Sequence, residues 1–232
     1  MLPVSSSRER ILGRLRAAGD PFPDAPPRPA AYLPVTRLDD SSPAGLLARF
    51  VAEAERLSCQ VSVVDGDDSA RVRLLDILRA AHVTHLLAWD FAHIPVSGLG
   101  DALRDAGVTT IFPDVRDEFR AETLAHIEPA QAGLTGADAA LATTGTLVVS
   151  TAPGRGRIPT VLPPLHIVVI EARQIVARLE DWVASQRAAG LAGIRASANL
   201  CFISGPSRTA DIEKNLVLGM HGPGALHIVV KR

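Results

Sequence analysis

Cysteine and lysine are scarce in this 232-residue chain, which has only Cys59 and Cys201, and only Lys214 and Lys231 among its 24 basic residues. Neither cysteine stands in a C-x-x-C or C-x-x-H spacing, so no local thiolate pair exists for a metal or an iron-sulfur cluster. Two cysteines in a chain without a secretory signal fit a reducing compartment, and a cytoplasmic location is expected. The lysine shortage leaves little room for Schiff-base or phosphate-loop lysine chemistry. Net charge is also lacking: 24 basic against 25 acidic residues give -1, no broad positive field for nucleic acid or an acidic membrane surface. No apolar run reaches the roughly 18 residues that a bilayer-spanning helix needs. What remains is a chain long enough to bury roughly 70 to 75% of its unfolded surface around one core without a staple.

Periodicity supplies the organisation. Ser5 to Ala18 places Ile11, Leu12 and Leu15 on one helical face. Six prolines then crowd between Pro21 and Pro34, which reads as an extended linker. The expected division is a helix-plus-linker appendage over 1–34 and an α/β domain over 35–232. Within the latter, helices are predicted over 46–57, 70–81 and 100–106, with strands at 61–64, 85–89 and 109–112. The 70–81 helix is read with Val72, Leu75 and Leu78 or Arg79 along one stripe. Two neighbouring strands are expected from 130–142 and 146–150, and a buried strand from the run LHIVVI. The longest helix is expected over 172–189. Strands at 200–204 and 226–230 should flank a helix over about 209–218. Short β-branched runs alternating with helical stretches imply a three-layer αβα domain on a mixed, mostly parallel sheet.

The usual nucleotide fingerprints are missing. GLGDALR, from Gly98, lacks the third glycine, and no G-x-x-x-x-G-K-[ST] occurs. GPSRT, from Gly205, has threonine where a nucleophile elbow closes on glycine. Of seven histidines only His82 and His85 are closely spaced, with no acidic third ligand beside them, so no metal site is assigned.

Three segments carry more polar and glycine residues than a core requires. TGADAALATTGTL, from Thr135 to Leu147, reads either as a hairpin or as a loop presenting amides and hydroxyls to an anion. Within it Asp138 needs a partner or a cleft, because a carboxylate in a Gly/Ala-rich strand is costly to leave alone. PGRGRIP, from Pro153, can be a solvated basic loop or an arginine clamp on a planar anion. It leads to LPPLH, where His166 opens the buried strand as a structural or ligand-facing histidine. SGPSRTADIEKN, from Ser204, reads as a strand end and a helix start capped by Ser207 or Thr209, with Asp211 and Glu213 at the positive end of the dipole. Arg208 does not suit such a terminus without an anion or an internal carboxylate, a role open to Glu213. GMHGPG then sets His221 on a glycine-rich loop.

Together, TGADAALATTGTL, GRI-x-x-x-LPPLHIVV, SGPSRTADIE and LVLGMHGPGALHIVV resemble the LUD domain family, lactate utilization protein C type. The resemblance implies a fold similar to ribose-phosphate isomerases, glucosamine-phosphate deaminases and CoA transferases. It also implies a role in oxidising L-lactate to pyruvate beside partner proteins that carry iron-sulfur clusters. With two cysteines this chain lacks the ferredoxin-like motifs of larger relatives, so no cofactor is expected in it and electron transfer falls to partners. A non-redox subunit or accessory factor is the first expectation. A free-standing enzyme or sensor for a small organic acid, acyl-CoA or sugar phosphate is the alternative. Asp138, Glu213 and His221 are then the proton-transfer candidates. Gly136, Thr143, Thr144, Gly145, Arg157, His166, Gly205, Ser207 and Arg208 are the candidate ligand-binding residues.

Overall fold

A computed structural model describes residues 7–19, 36–114, 117–210 and 216–232. The chain divides into two units, Met1–Val35 and Thr36–Arg232. In the first, α1 runs over Ser7–Ala17 with no buried residue, and Ile11 and Leu15 are exposed. The proline-rich segment read as a linker lies outside the described residues.

The second unit begins with α2 (Pro43–Arg56), started by Ser42, whose side chain accepts from the Gly45 amide, and by proline in the first turn. Next come β1 (Gln60–Val64), α3 (Gly66–Ala80), β2 (His85–Ala88), α4 (Leu99–Asp105), β3 (Thr109–Ile111), α5 (Arg120–Ile127) and β4 (Ala132–Thr135). The chain continues with β5 (Ala139–Leu141), β6 (Thr146–Ser150), α6 (Ile158–Val161), β7 (Leu165–Glu171), β8 (Ile175–Val176), α7 (Leu179–Ala188) and α8 (Ala192–Ala196). It ends with β9 (Leu200–Ile203), β10 (Arg208–Ala210), β11 (Leu216–Leu218) and β12 (Ala225–Lys231).

The central sheet has the order β1-β12-β7-β4-β2-β3, and all its pairings are parallel. Its middle strand β7 is buried through six consecutive residues, as a strand covered on both faces must be. Alternation along β2 shows the two faces: Leu86 and Ala88 join the large core with Leu74 and Leu78 of α3. Leu87 instead packs with Ile127 of α5, Ala130 and Ile158 of α6. Helices therefore cover both sides, and the architecture is the expected α/β one. A second, mixed sheet, β8-β5-β6-β9, is built by excursions between β4 and β7 and between β7 and β12. Trp182 of α7 packs on it with Leu141 and Val148.

Four expectations change. In α3 the buried residues are Ala70, Leu74, Ile77 and Leu78. Val72, about 200° around the helix from Ala70, is 59% exposed. The stretch 130–142 splits between two sheets, β4 going to the first and β5 pairing antiparallel with β6 in the second. The 172–189 segment is not one helix. The Glu171 amide donates to Gln174 Oε1 at 2.7 Å and Gln174 Nε2 donates to Ala137 O at 2.6 Å, tying off a 3-10 turn. Ile175 and Val176 then find a strand partner in β5, and α3 is the longest described helix. The helix expected near 209–218 is replaced at both ends by strands, β10 and β11, which pair antiparallel. Inter-strand hydrogen bonding overrides the local capping signal of Ser207 and Thr209, and the helix-dipole argument for Arg208 falls with it.

Candidate functional site

The first predicted cluster to assemble is at the amino ends of β7 and β12. There a cavity of 230 Å³ is lined by Thr160 and Val161 of α6, His166, Cys201 to Ile203 of β9, the turn Ser204–Ser207, His221 to Pro223, and Leu226. Four predicted residues, His166, Gly205, Ser207 and His221, meet in it. Register places His166 beside Gly133 of β4 and Leu226 of β12. The imidazole is 1% exposed, and its Nε2 lies 2.9 Å from Oγ1 of Thr135, itself fully buried. Nδ1 has no hydrogen-bond partner among the described residues. Burial pushes the His166 pKa down to about 3, so the ring is neutral at physiological pH. The mouth is laced together by Ser207: its amide donates to Pro223 O at 2.8 Å, and its hydroxyl accepts from the His221 amide at 3.3 Å. The Ser204 hydroxyl is bonded to Thr146 Oγ1 at 2.8 Å.

The neutral histidine has a thermodynamic consequence. Unfolding restores an ordinary pKa near 6.5, so below that value the unfolded chain binds a proton that the folded chain refuses. Stability is complete above about pH 6.5 and declines as pH falls toward 3, by up to about 1.4 kcal/mol per pH unit for one such group. His227, also held low by burial and by Arg73, acts in the same direction. Asp67, held at about 2 chiefly by its hydrogen bonds to Lys231 and Ser97, adds acid sensitivity only below about pH 4. Urea denaturation at pH 7 and pH 5 is expected to show the loss, and His166→Gln should reduce the slope between them.

The second cluster is at the opposite, carboxyl edge of the sheet. Connections leave β2 and β4 in opposite directions, which makes this the topological switch point of the sheet. Asp138, just before β5, forms an ion pair with Arg155 of the PGRGRIP loop, the side chains being 24% and 18% exposed. Arg155 also donates to Ser150 O and Oγ at 2.9 and 2.8 Å and lies 4.8 Å from the centre of the Trp89 ring. Trp89 Nε1 in turn donates to Gly156 O at 2.7 Å. Asp138 Oδ2 and Arg155 Nε are buried without partners, the two atoms that a fork-to-fork pairing would join. Gly136 lies against the 3-10 turn at Phe91–His93, where a Cβ would sit 2.4 Å from His93 O. A wider cavity of 590 Å³ opens beside this loop, lined by Asp90, Phe91, Phe112, Gly154 and Gly156 among others.

The remaining predicted residues are elsewhere. Thr143, Thr144 and Gly145 form the β5–β6 turn, packed on α2. Gly145 has φ +61°, and a Cβ there would lie 2.5 Å from Ala54 N, so this glycine serves a close backbone approach. Arg157 is exposed at the start of α6. The Arg208 guanidinium donates to Leu57 O at the end of α2. Glu213, with Asp211, lies outside the described residues. Sequence reasoning missed Thr160, Cys201 and Ser204 as cavity residues, and Trp89 and Arg155 as the setting of Asp138. Only Ser204 and Arg155 carried a signal, standing inside the quoted motifs. Among the described residues no group of three His, Cys, Asp or Glu side chains could hold a metal, and no helix is long and apolar enough to cross a membrane.

The LUD domain family profile matches residues 47–230, the stretch that forms both sheets and both clusters. This chain belongs to the LUD domain family. The lactate utilization protein C of Halalkalibacterium halodurans is 34% identical over 158 residues, 67% of this chain and 66% of that protein. The lactate utilization protein C of Geobacillus sp. strain WCH70 is 38% identical over 185 residues, 77% of each. The chain thus spans about two thirds of the first relative's length. In three dimensions, a DUF162 family protein from Deinococcus radiodurans, solved by crystallography at 1.70 Å resolution, superposes with a TM-score of 0.59 at 22% identity. It covers 83% of this chain and all of its own. That likeness establishes a shared fold for this LUD domain.

Proposed function

We propose that this LUD protein is a lactate utilization protein of the C type, a non-redox subunit or accessory factor in the oxidation of L-lactate to pyruvate. The observation that carries the reading is the 38% identity to the Geobacillus lactate utilization protein C across 77% of both chains. Oxidising lactate removes two electrons and two protons. An iron-sulfur cluster that accepts such electrons singly is ordinarily held by four thiolates, and this chain has two cysteines, one of them buried with its pKa pushed up to about 11 by desolvation. The clusters are accordingly assigned to partner proteins, with which this chain would work in the cytoplasm.

Reconstitution tests the proposal. The chain is combined with the cluster-bearing proteins purified from lactate-grown cells, and lactate-dependent reduction of an artificial dye is followed with and without it. Dye reduction should rise several-fold when the chain is added, and the same proteins should co-purify with it. Equal rates with and without the chain, together with no co-purification, would sink the reading.

A further inference from the structure

We infer that the 230 Å³ cavity at the amino ends of β7 and β12 is a binding site for a short 2-hydroxy or 2-oxo carboxylic acid, with His166 reading the oxygen on C2. The choice among short acids rests on the lactate-utilization reading; the site itself rests on the cavity.

Size is the first constraint. The cavity, 230 Å³, falls below the roughly 300–1,000 Å³ of sites for drug-sized ligands, which excludes containment of a nucleotide-bearing thioester and suits a small acid. Lining chemistry is the second. Val161, Ile203, Pro206, Pro223 and Leu226 give apolar wall for a methyl-sized group. No Asp, Glu, Lys or Arg side chain lines the cavity. An anion seated deep inside would be uncompensated, so the carboxylate must remain at the mouth. There Gly205 and Gly222 line the opening, and the absence of a side chain at a glycine lets a carboxylate approach backbone amides.

His166 supplies the third constraint. It lines the cavity, is almost wholly buried and neutral, and with Nε2 engaged by Thr135 its other ring nitrogen, Nδ1, is the one left for a ligand. Its partner, the Thr135 hydroxyl, can donate or accept. With Nε2–H donating to Thr135 Oγ1, Nδ1 is an acceptor and takes the hydroxyl proton of a 2-hydroxy acid in a hydrogen bond. With Thr135 O–H donating to Nε2, Nδ1–H is a donor and meets the carbonyl of a 2-oxo acid. One tautomeric exchange therefore lets the same cavity hold both members of such a pair, with no change of net charge and no movement of the ring.

Calorimetric titration of the full chain tests this with L-lactate, pyruvate and propionate, the last lacking the C2 oxygen. Lactate and pyruvate should bind saturably and compete, with propionate at least about tenfold weaker, the cost of leaving one polar group unpaired. Ser207→Ala, at the mouth, should weaken both acids, and His166→Leu should erase the preference over propionate. Because His166→Leu can fail to fold, the ring nitrogens of the unaltered protein are also followed by 15N NMR. The His166 resonances should report opposite tautomers with lactate and with pyruvate. Absence of saturable binding up to about 10 mM, equal binding of propionate, or unmoved His166 resonances at saturation would each overturn the inference. A chain that binds no acid yet stimulates dye reduction would reject this site and leave the proposed function standing. Acid binding without stimulation would do the reverse.

Discussion

Gly133→Ala is expected to destabilise this protein by more than about 3 kcal/mol, at or beyond the upper end for overpacked cores. A Cβ on Gly133 would lie 1.8 Å from Pro159 O and 2.7 Å from Pro159 C. Both obstructing atoms are backbone, so no rotamer change relieves the overlap, and α6 must move off the sheet. That movement carries Thr160 and Val161 away from the cavity and opens the sheet beside His166, which is in register with Gly133. Chemical denaturation should therefore show a large fall in midpoint, and any folded fraction should lose the acid-dependent slope that a buried His166 produces. The control is Gly193→Ala in α8, where the nearest atom to a new Cβ is Gln186 Oε1 at 3.8 Å. There alanine should be neutral or stabilising by up to about 1 kcal/mol, through helix propensity. Equal stability of Gly133→Ala and the unaltered protein would show that α6 does not pack on β4 this closely.

The second large effect is expected at the switch point. Arg155→Ala removes the ion-pair partner of Asp138, two bonds to Ser150 and the cation over Trp89, leaving a mostly buried carboxylate without compensation. Breaking a buried pair from one side costs about 3–5 kcal/mol; the residual exposure of these side chains places the cost at the lower end, near 3. Asp138→Ala should cost less, since Arg155 retains Ser150 and Trp89. The double substitution should be milder than the sum of the two, because it leaves no orphaned charge. Arg155→Lys should rescue only in part, as an ammonium keeps the charge and a cation–π contact but not the planar fork that bonds Asp138 and Ser150 together. A strictly additive double-mutant cycle by urea denaturation would remove the pairing from the stability of this fold.

Much of the first sheet was legible because its signals are local. The buried run of β7 and the helical period of α2 are written in adjacent residues, and they appear within a few residues of where periodicity puts them. The 172–189 and 209–218 stretches misled because each contains a true local signal that a distant partner outweighs. Ile175 and Val176 pair with β5, and Arg208 to Ala210 pair with β11, and neither partner can be inferred from helical spacing. The candidate site was legible in part for the same reason. His166, Gly205, Ser207 and His221 stood in separate motifs, and only the return of β12 alongside β7 brings them to one cavity. Thr143 to Gly145 form a turn with Gly145 against α2, and spacing alone does not separate the two roles their composition suits, a tight backbone approach and an anion.

The amino-acid sequence alone determined an α/β chain of near-zero net charge, without thiolates enough for a cluster, and marked by the motifs of the LUD domain family. Those properties follow from composition and from patterns a few residues long. Tertiary structure decided which motif residues share a site, that Asp138 is matched with Arg155, and that His166 is neutral. Burial, register and close backbone contact are properties of segments far apart in the chain, and they exist only once β4, β7 and β12 lie side by side.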